Sequence, residues 1–354
     1  MQLNTAILPK TSDFAARVIA WQQVHGRHDL PWQKTQDPYR VWLSEIMLQQ
    51  TQVATVLVYY QRFLARFPTV ADLAQASEDD VMALWAGLGY YSRARNLHRS
   101  AQMVMADFGG QFPRTAAQLC QLPGVGMSTA AAIAAFCFGE RAAIFDANVQ
   151  RVLARWLGYA QDLARSANKN ELWARACTLL PQNDCTNTMP RYTQGLMDLG
   201  ATVCTARAPQ CERCPLSSDC VARLTKQQTQ LPVRSKTLTR KSVDVYLHRL
   251  QCGEEVALIK RPPRGIWGGL YCLPEIDAAT YAALAAQVTN STLPSFKHVL
   301  THRDLHIHVV QENCARVHPA IDNLVWRTPA QALSLGLPQP ITKLLQTTEQ
   351  LSKE

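Results

Sequence analysis

The chain has 354 residues, 47% of them hydrophobic, which is enough for two or three domains with substantial cores. A net charge of +9 favours a polyanionic partner, and no run approaches the roughly 20 uncharged apolar residues of a membrane span, so no membrane is expected. The start, MQLNTAILPKTSDF, lacks the cationic-then-apolar order of a secretory signal, and eleven cysteines without an export signal point to a reducing, cytoplasmic setting.

Up to residue 224 the apolar spacing is helical, with little strand signal. Asp13 stands where it would cap a first helix whose Phe14, Val18 and Trp21 share one face. Further helices are expected over 38–66, 78–87, 92–108, 115–122, 128–138, 147–157, 170–180 and 192–201. The apolar stretch 130–138 reads as a buried helix. In VWLSEIMLQQTQV, residues 41–53, Glu45 is the one acid, set among Leu43, Ile46, Met47 and Leu48. A helical glutamate ordinarily meets water. Apolar neighbours on both sides favour burial here, which penalises the carboxylate and keeps a proton available near neutrality.

LPGVG, residues 122–126, lies between two helical patterns. Gly124 and Gly126 permit a tight turn whose N–H groups can hold a phosphate at the start of the next helix, although such turns are common. Asp146, in IFDANVQRVLARW, precedes an amphipathic helix, where the ordinary role is an N-cap. Amide hydrogen bonds and the helix dipole would keep it ionised. One protonated and one charged carboxyl is the division of labour that glycosidic cleavage through an oxocarbenium-like state requires.

Cys204, Cys211, Cys214 and Cys220 follow as C-x6-C-x2-C-x5-C. Four such thiolates suit zinc or an iron–sulfur cluster. Two disulfides or four unrelated thiols are the bland alternative, opposed by the clustering and by Pro209 and Pro215 in the turns. Zinc's usual paired C-x2-C spacing is missing from one half. Residues 225–240 are polar and basic and read as a linker. Beyond them Val243, Val245 and Leu247 alternate as in a strand, with a turn at Gly253 and a return strand over 256–259. A helix over 278–288 and a strand over 306–310 complete a smaller α+β domain, and His306 and His308 share one strand face.

The cysteine spacing matches the [4Fe–4S] loop of the endonuclease III-like DNA glycosylases. SEIMLQQTQV, WAGLGYYSRARNL, LPGVG-x-STA, NVQRVLAR, MDLGATVC and the cysteine loop, in that order, resemble the adenine DNA glycosylase (MutY) family from Trp21 nearly to the C-terminus. The resemblance implies a mainly α helix–hairpin–helix glycosylase region with an iron–sulfur loop over 1–224, a linker over 225–240 and a Nudix-like α+β domain over 241–354. It implies a monomeric, nucleoid-associated enzyme that removes adenine mispaired with 8-oxoguanine or guanine from double-stranded DNA. The base must be flipped out, because the atoms attacked are inaccessible in the helix.

By this resemblance Glu45 protonates the adenine and later assists attack at the sugar, Asp146 stabilises the positive sugar, and Asn148 orients Asp146. Gln50, Leu88 and Tyr90 wedge into the stack, with Thr51 beside them on the DNA. Trp32, Gln33 and Gln194 surround the flipped adenine, and Gly124, Gly126 and Ser128 of the hairpin meet the DNA backbone. Cys204, Cys211, Cys214 and Cys220 hold a [4Fe–4S] cluster.

Three departures matter. The family's glycine after the catalytic aspartate is Ala147 here, which is tolerable if φ is negative. Ser128 stands where strand-cutting relatives carry the lysine that forms a Schiff base, so the enzyme is expected to stop at an abasic site. In the C-terminal part, RPPRGIWGGLYCLPE resembles a Nudix-like domain without its acidic metal-binding helix, which argues against pyrophosphate hydrolysis. There Leu300, Thr301 and His302 replace the family's Phe-Ser-His, so Thr301 and His302 are the expected lesion contacts. An endonuclease III-like enzyme acting on oxidised pyrimidines is the alternative within glycosylases, opposed by Ser128 and the appended domain. An iron–sulfur DNA-binding redox sensor would need neither Glu45 nor Asp146.

Overall fold

The computed structural model describes residues 9, 11–235, 239–287, 291–314 and 321–351. The chain divides into two compact units, the first drawn from residues 1–60, 69–71 and 99–237, the second from 61–68, 72–98 and 238–354. In chain order the helices are α1 (Phe14–His25), α2 (Pro38–Leu48), α3 (Val53–Arg66), α4 (Val70–Gln75), α5 (Glu78–Trp85), α6 (Ser92–Asp107), α7 (Ala116–Leu119) and α8 (Met127–Phe138). They continue as α9 (Ala147–Leu157), α10 (Ser166–Thr178), α11 (Cys185–Asp198), α12 (Val221–Leu224), α13 (Ala278–Ala285), α14 (Pro329–Ala332) and α15 (Gln339–Leu351).

The first unit is helix packed on helix. Its core joins Phe14 and Val18 of α1, Ala131, Ala132 and Ala135 of α8, Val152 and Trp156 of α9, and Tyr192 and Leu196 of α11. Phe14 meets the Trp156 ring at 4.3 Å between centroids. Each of these fully buried large side chains contributes roughly 1.5–3 kcal/mol. Asp13 does precede α1, but its side chain makes no cap hydrogen bond and pairs instead with Arg17 at 3.3 Å. Asp37, by contrast, caps α2 by accepting from the Tyr39 N–H, with Pro38 at the first helical position.

The single helix expected over 38–66 is broken. α2 ends at Leu48, Gln50 adopts φ +58°, and α3 begins at Val53. Gly124 takes φ +78° in the turn between α7 and α8, whereas Gly126 is extended at φ −85° and serves as the N-cap of α8. α8 buries Ala130 through Ala135, as its sequence predicts. α11 starts at Cys185, well before the expected 192, tolerates Pro190 inside it and passes into a π-helical turn, Leu199–Val203.

Among the described residues the second unit carries a mixed sheet of seven strands: β1 (Lys241–Cys252), β2 (Glu255–Lys260), β3 (Tyr271–Cys272), β4 (Glu275–Ile276), β5 (Ser291–Val299), β6 (Arg303–Asn313) and β7 (Val325–Arg327). The order is β3-β2-β1-β6-β5, with β4 on β1 and β7 on β2. β1 and β6 run parallel and in register from Lys241 opposite Arg303 to Gln251 opposite Asn313. Inward-facing Val245, Leu247, Leu305, Ile307 and Val309 alternate along them and are buried. Gly253, at φ +58°, makes the expected turn into β2. The helix expected over 278–288 ends at Ala285, and residue 288 lies outside the described residues. The helical part of this unit is held by rings, with Phe63 5.1 Å from Phe67 and 6.0 Å from Trp85.

Candidate active site and iron–sulfur loop

Glu45 projects from α2 and is partly buried. Among the described residues no hydrogen bond reaches its carboxyl. Burial first, and then the charge of Asp146, push its pKa from 4.5 up to about 8. Asp146 caps α9 as the sequence predicts, its Oδ1 accepting from the Val149 N–H at 2.8 Å and its Oδ2 from the Asn148 side-chain amide at 3.3 Å. Its net shift is nevertheless upward, a correction to the expectation of a well-ionised acid: burial outweighs the hydrogen bonds and nearby Arg151. Asp146 alone is supplied with donors, so it is the member of the pair that keeps the charge. Ala147 is the first residue of α9, with helical backbone, so its methyl is accommodated.

A cavity of about 300 Å³ is lined by Glu45, Trp32, Gln33 and Gln194, which the family resemblance groups together, and also by Arg27, Ser44 and Phe136. Both polar atoms of the Gln33 side chain are buried without a partner among the described residues. Trp32 is buried edge-on against Tyr60, with centroids 5.3 Å apart. Asp198, fully buried, ties the wall together. Its Oδ1 accepts from Arg27 Nε at 2.7 Å and from Gln194 Nε2 at 2.9 Å, and its Oδ2 accepts from the Arg27 N–H at 3.0 Å. Sequence reasoning missed Arg27 and Asp198. An acid inside the apolar MDLG segment was the available signal.

Asn148 is itself held. Its Oδ1 accepts from Arg151 Nη2 at 2.7 Å, and Arg151 also donates to the carbonyls of Gly200 and Cys204, each at 2.7 Å. A Cβ on Gly200 would lie 2.6 Å from the Asn148 Cβ, so only glycine lets the π-helical turn approach this closely. The Ser128 Oγ accepts from the Phe145 N–H at 2.8 Å and braces the residue before Asp146. Gly124 and Gly126 are exposed on the hairpin. Gln50 is exposed in its left-handed conformation, and the Thr51 N–H closes the break by donating to Leu48 O at 3.3 Å.

In the second unit Leu88 is buried and Tyr90 is exposed, in a left-handed conformation of φ +49°. The Tyr90 hydroxyl is hydrogen-bonded to the Thr301 Oγ1. A cavity of about 630 Å³ is lined by Tyr90, Thr301 and His302 together with Trp267 and His298. Thus Tyr90, Thr301 and His302, far apart in sequence, share one groove.

Cys204, Cys211, Cys214 and Cys220 surround one apolar cavity with Val152, Trp156 and Leu216, and none is in a disulfide. Among the described residues no group of three or more His, Cys, Asp or Glu stands at the spacing of a single-metal site. Buried Arg155 donates to the Cys204 Sγ at 3.3 Å. Burial pushes the Cys214 thiol up to about 12, so thiolates here need a metal centre to stay deprotonated. The donor set therefore fits an iron–sulfur cluster.

Residues 43–176 match the family described as HhH-GPD superfamily base excision DNA repair protein, 204–220 the iron-sulfur binding domain of endonuclease III, and 245–347 the NUDIX domain. The helical unit with its carboxyl pair and cysteine loop is thus that of a base-excision repair DNA glycosylase carrying a [4Fe–4S] cluster. Among curated relatives, adenine DNA glycosylase of Buchnera aphidicola subsp. Baizongia pistaciae is 35% identical over 94% of this chain and 95% of its own length. The human adenine DNA glycosylase is 43% identical over 62% of this chain and 41% of its own. A solved thermostable thymine-DNA glycosylase superposes with TM-score 0.54 at 31% identity, covering 61% of this chain and 97% of that one. An endonuclease III–DNA complex shares the fold, with TM-score 0.51 at 22% identity over 62% of this chain and 100% of that one. The chain belongs to the adenine DNA glycosylase family, whose members act on N-glycosyl bonds.

Proposed function

We propose that the enzyme hydrolyses the N-glycosidic bond of adenine mispaired with 8-oxoguanine or guanine in duplex DNA and stops at the abasic site. The observation that carries this reading is the asymmetry of the two carboxyls: Glu45 raised to about 8 without a donor, Asp146 surrounded by donors. Glu45 gives its proton to the flipped adenine, which makes the base a neutral leaving group as the C–N bond breaks. Asp146, oriented by Asn148, faces the positive charge that develops on the sugar. Glu45, now a carboxylate, takes a proton from the water that attacks the sugar carbon. Arg27, Gln33 and Gln194 offer the hydrogen-bonding edges that select adenine, with Asp198 fixing two of them. The cluster bound by the four cysteines supplies a structural anchor for the loop 204–220.

Discrimination on the opposite strand is assigned to the groove of Tyr90, Thr301 and His302, where hydroxyls and an imidazole can meet an oxidised purine. Ser128 has no amine to form a Schiff base, which supports a monofunctional reaction. The test is a panel of duplexes with adenine opposite 8-oxoguanine, guanine, cytosine or thymine, plus one with an oxidised pyrimidine, followed by alkali. Adenine release from the first two, with strand breaks only after alkali, is expected. Release of the oxidised pyrimidine, or nicking without alkali, would refute the reading.

A further inference from the structure

In the second unit, the first turn of α5 carries Ser77 as N-cap, followed by Glu78, Asp79 and Asp80. Acids there complement the helix dipole, and for Glu78 and Asp80 that role suffices. Asp79 does more. Its Oδ1 lies 2.6 Å from Lys260 Nζ on β2, and its Oδ2 accepts from the Tyr271 hydroxyl on β3 at 3.1 Å. Lys260 and Tyr271 stand opposite each other across the β2–β3 ladder, with the ammonium 5.9 Å from the phenol ring. One carboxylate therefore grips a cross-strand pair by both oxygens.

Among the described residues the same helices also touch the sheet-bearing part elsewhere. Arg95 Nη1 of α6 donates to the Gly268 carbonyl, and Tyr90, in the turn between α5 and α6, meets Thr301. The groove of about 630 Å³ has walls drawn from residues 87, 89–92 and 95 on one side and from 265–268, 298–303 and 339 on the other. Asp79, Lys260 and Tyr271 are absent from those walls, so any influence they have on the groove is through its width.

We propose that the Asp79–Lys260–Tyr271 triad is a positioning unit for reading the base opposite adenine: it fixes α5 on the β2–β3 ladder and so sets the spacing of the groove walls. This rests on the assignment of that groove to the oxidised purine. Discrimination is a difference in affinity between two partners, and displacements of about 1 Å at a recognition surface are enough to blunt it. The pair is half-exposed, so its loss costs little stability.

The test compares single-turnover adenine release opposite 8-oxoguanine and opposite guanine for the full chain and for Asp79→Asn. The expected result is a fall of roughly tenfold in the preference for 8-oxoguanine, as for couplings of this kind, with the rate opposite guanine within about twofold of wild type. Exchanging the charges, Asp79→Lys with Lys260→Asp, should restore part of the preference, and the readout is the ratio between the two substrates, which a merely structural loss would leave unchanged. An unchanged preference, or equal loss with both substrates, overturns the proposal. Should Asp79→Asn fail to fold, Tyr271→Phe removes a single hydroxyl and is read in the same way, with a smaller fall expected and an unchanged preference again overturning it. A wild-type enzyme with no preference at all would overturn the groove assignment itself, so the two failures are separable.

Discussion

Glu45→Gln should make the protein more stable while abolishing its chemistry, and the gain should depend on pH. The folded state raises the Glu45 carboxyl from 4.5 to about 8. The folded protein therefore holds a proton that the unfolded chain gives up, so stability falls as pH rises from the unfolded value through the folded one. At one pH unit per 1.36 kcal/mol, the cost reaches at most about 3 kcal/mol at pH 7 and stays under about 1 kcal/mol at pH 5. Glutamine has no proton to lose and bears neither cost. Urea unfolding of both proteins at pH 5, 7 and 8.5 should therefore show a variant whose advantage grows with pH, up to a few kcal/mol. Single-turnover adenine release should be lost while binding of the mispaired duplex remains, because the amide keeps the shape without the transferable proton. Wild-type release should likewise fall as pH passes about 8. Parallel stability curves, or a rate within a factor of a few of wild type, would refute the reasoning.

Asp146→Asn should cut single-turnover release by at least about a hundredfold, since a neutral amide cannot face the sugar cation, while its cap to Val149 survives through the amide oxygen. Gly200→Ala should push Asn148 off Asp146 and lower the rate about tenfold or more with intact DNA binding, since the added Cβ would sit 2.6 Å from the Asn148 Cβ. Anaerobically purified protein should contain about four irons per chain with broad visible absorption, and chelation of that iron should loosen residues 204–220 in hydrogen exchange. Stoichiometric zinc without iron would be the contrary finding.

The cysteine spacing, the Asp146 cap, the buried alanine face of α8 and the β1–β2 turn at Gly253 were all legible, because each depends on residues within one or two turns of each other. The break at residues 49–52 was not. Every residue from Leu48 to Val53 is compatible with a helix, no Gly or Pro marks the interruption, and Gln50 enters the left-handed region only under tertiary constraint. The Arg27–Asp198 pair joins residues 171 apart, and no local pattern announces such a partner. The tight fit of Gly200 on Asn148 depends likewise on a neighbour that only the fold supplies. For Asp146 the sequence identified the hydrogen bonds but could not weigh them against burial, and burial won.

Selection for stability alone would have removed several features that remain. A carboxyl sunk among apolar residues without a hydrogen-bond donor costs more than a glutamine or leucine in its place. Gln50 and Tyr90 hold left-handed conformations that glycine would adopt at no strain, at roughly 1–3 kcal/mol each. Gln33 keeps an amide that is unpartnered among the described residues, inside a cavity where an apolar side chain would pack. Each lies on a cavity wall or an exposed turn. Local penalties so placed are what a protein retains for contacts it makes with something else. On the proposed function, a flipped base would supply the missing partner for Gln33 and for the Glu45 proton, and an opened base stack would accept the side chains of Gln50 and Tyr90.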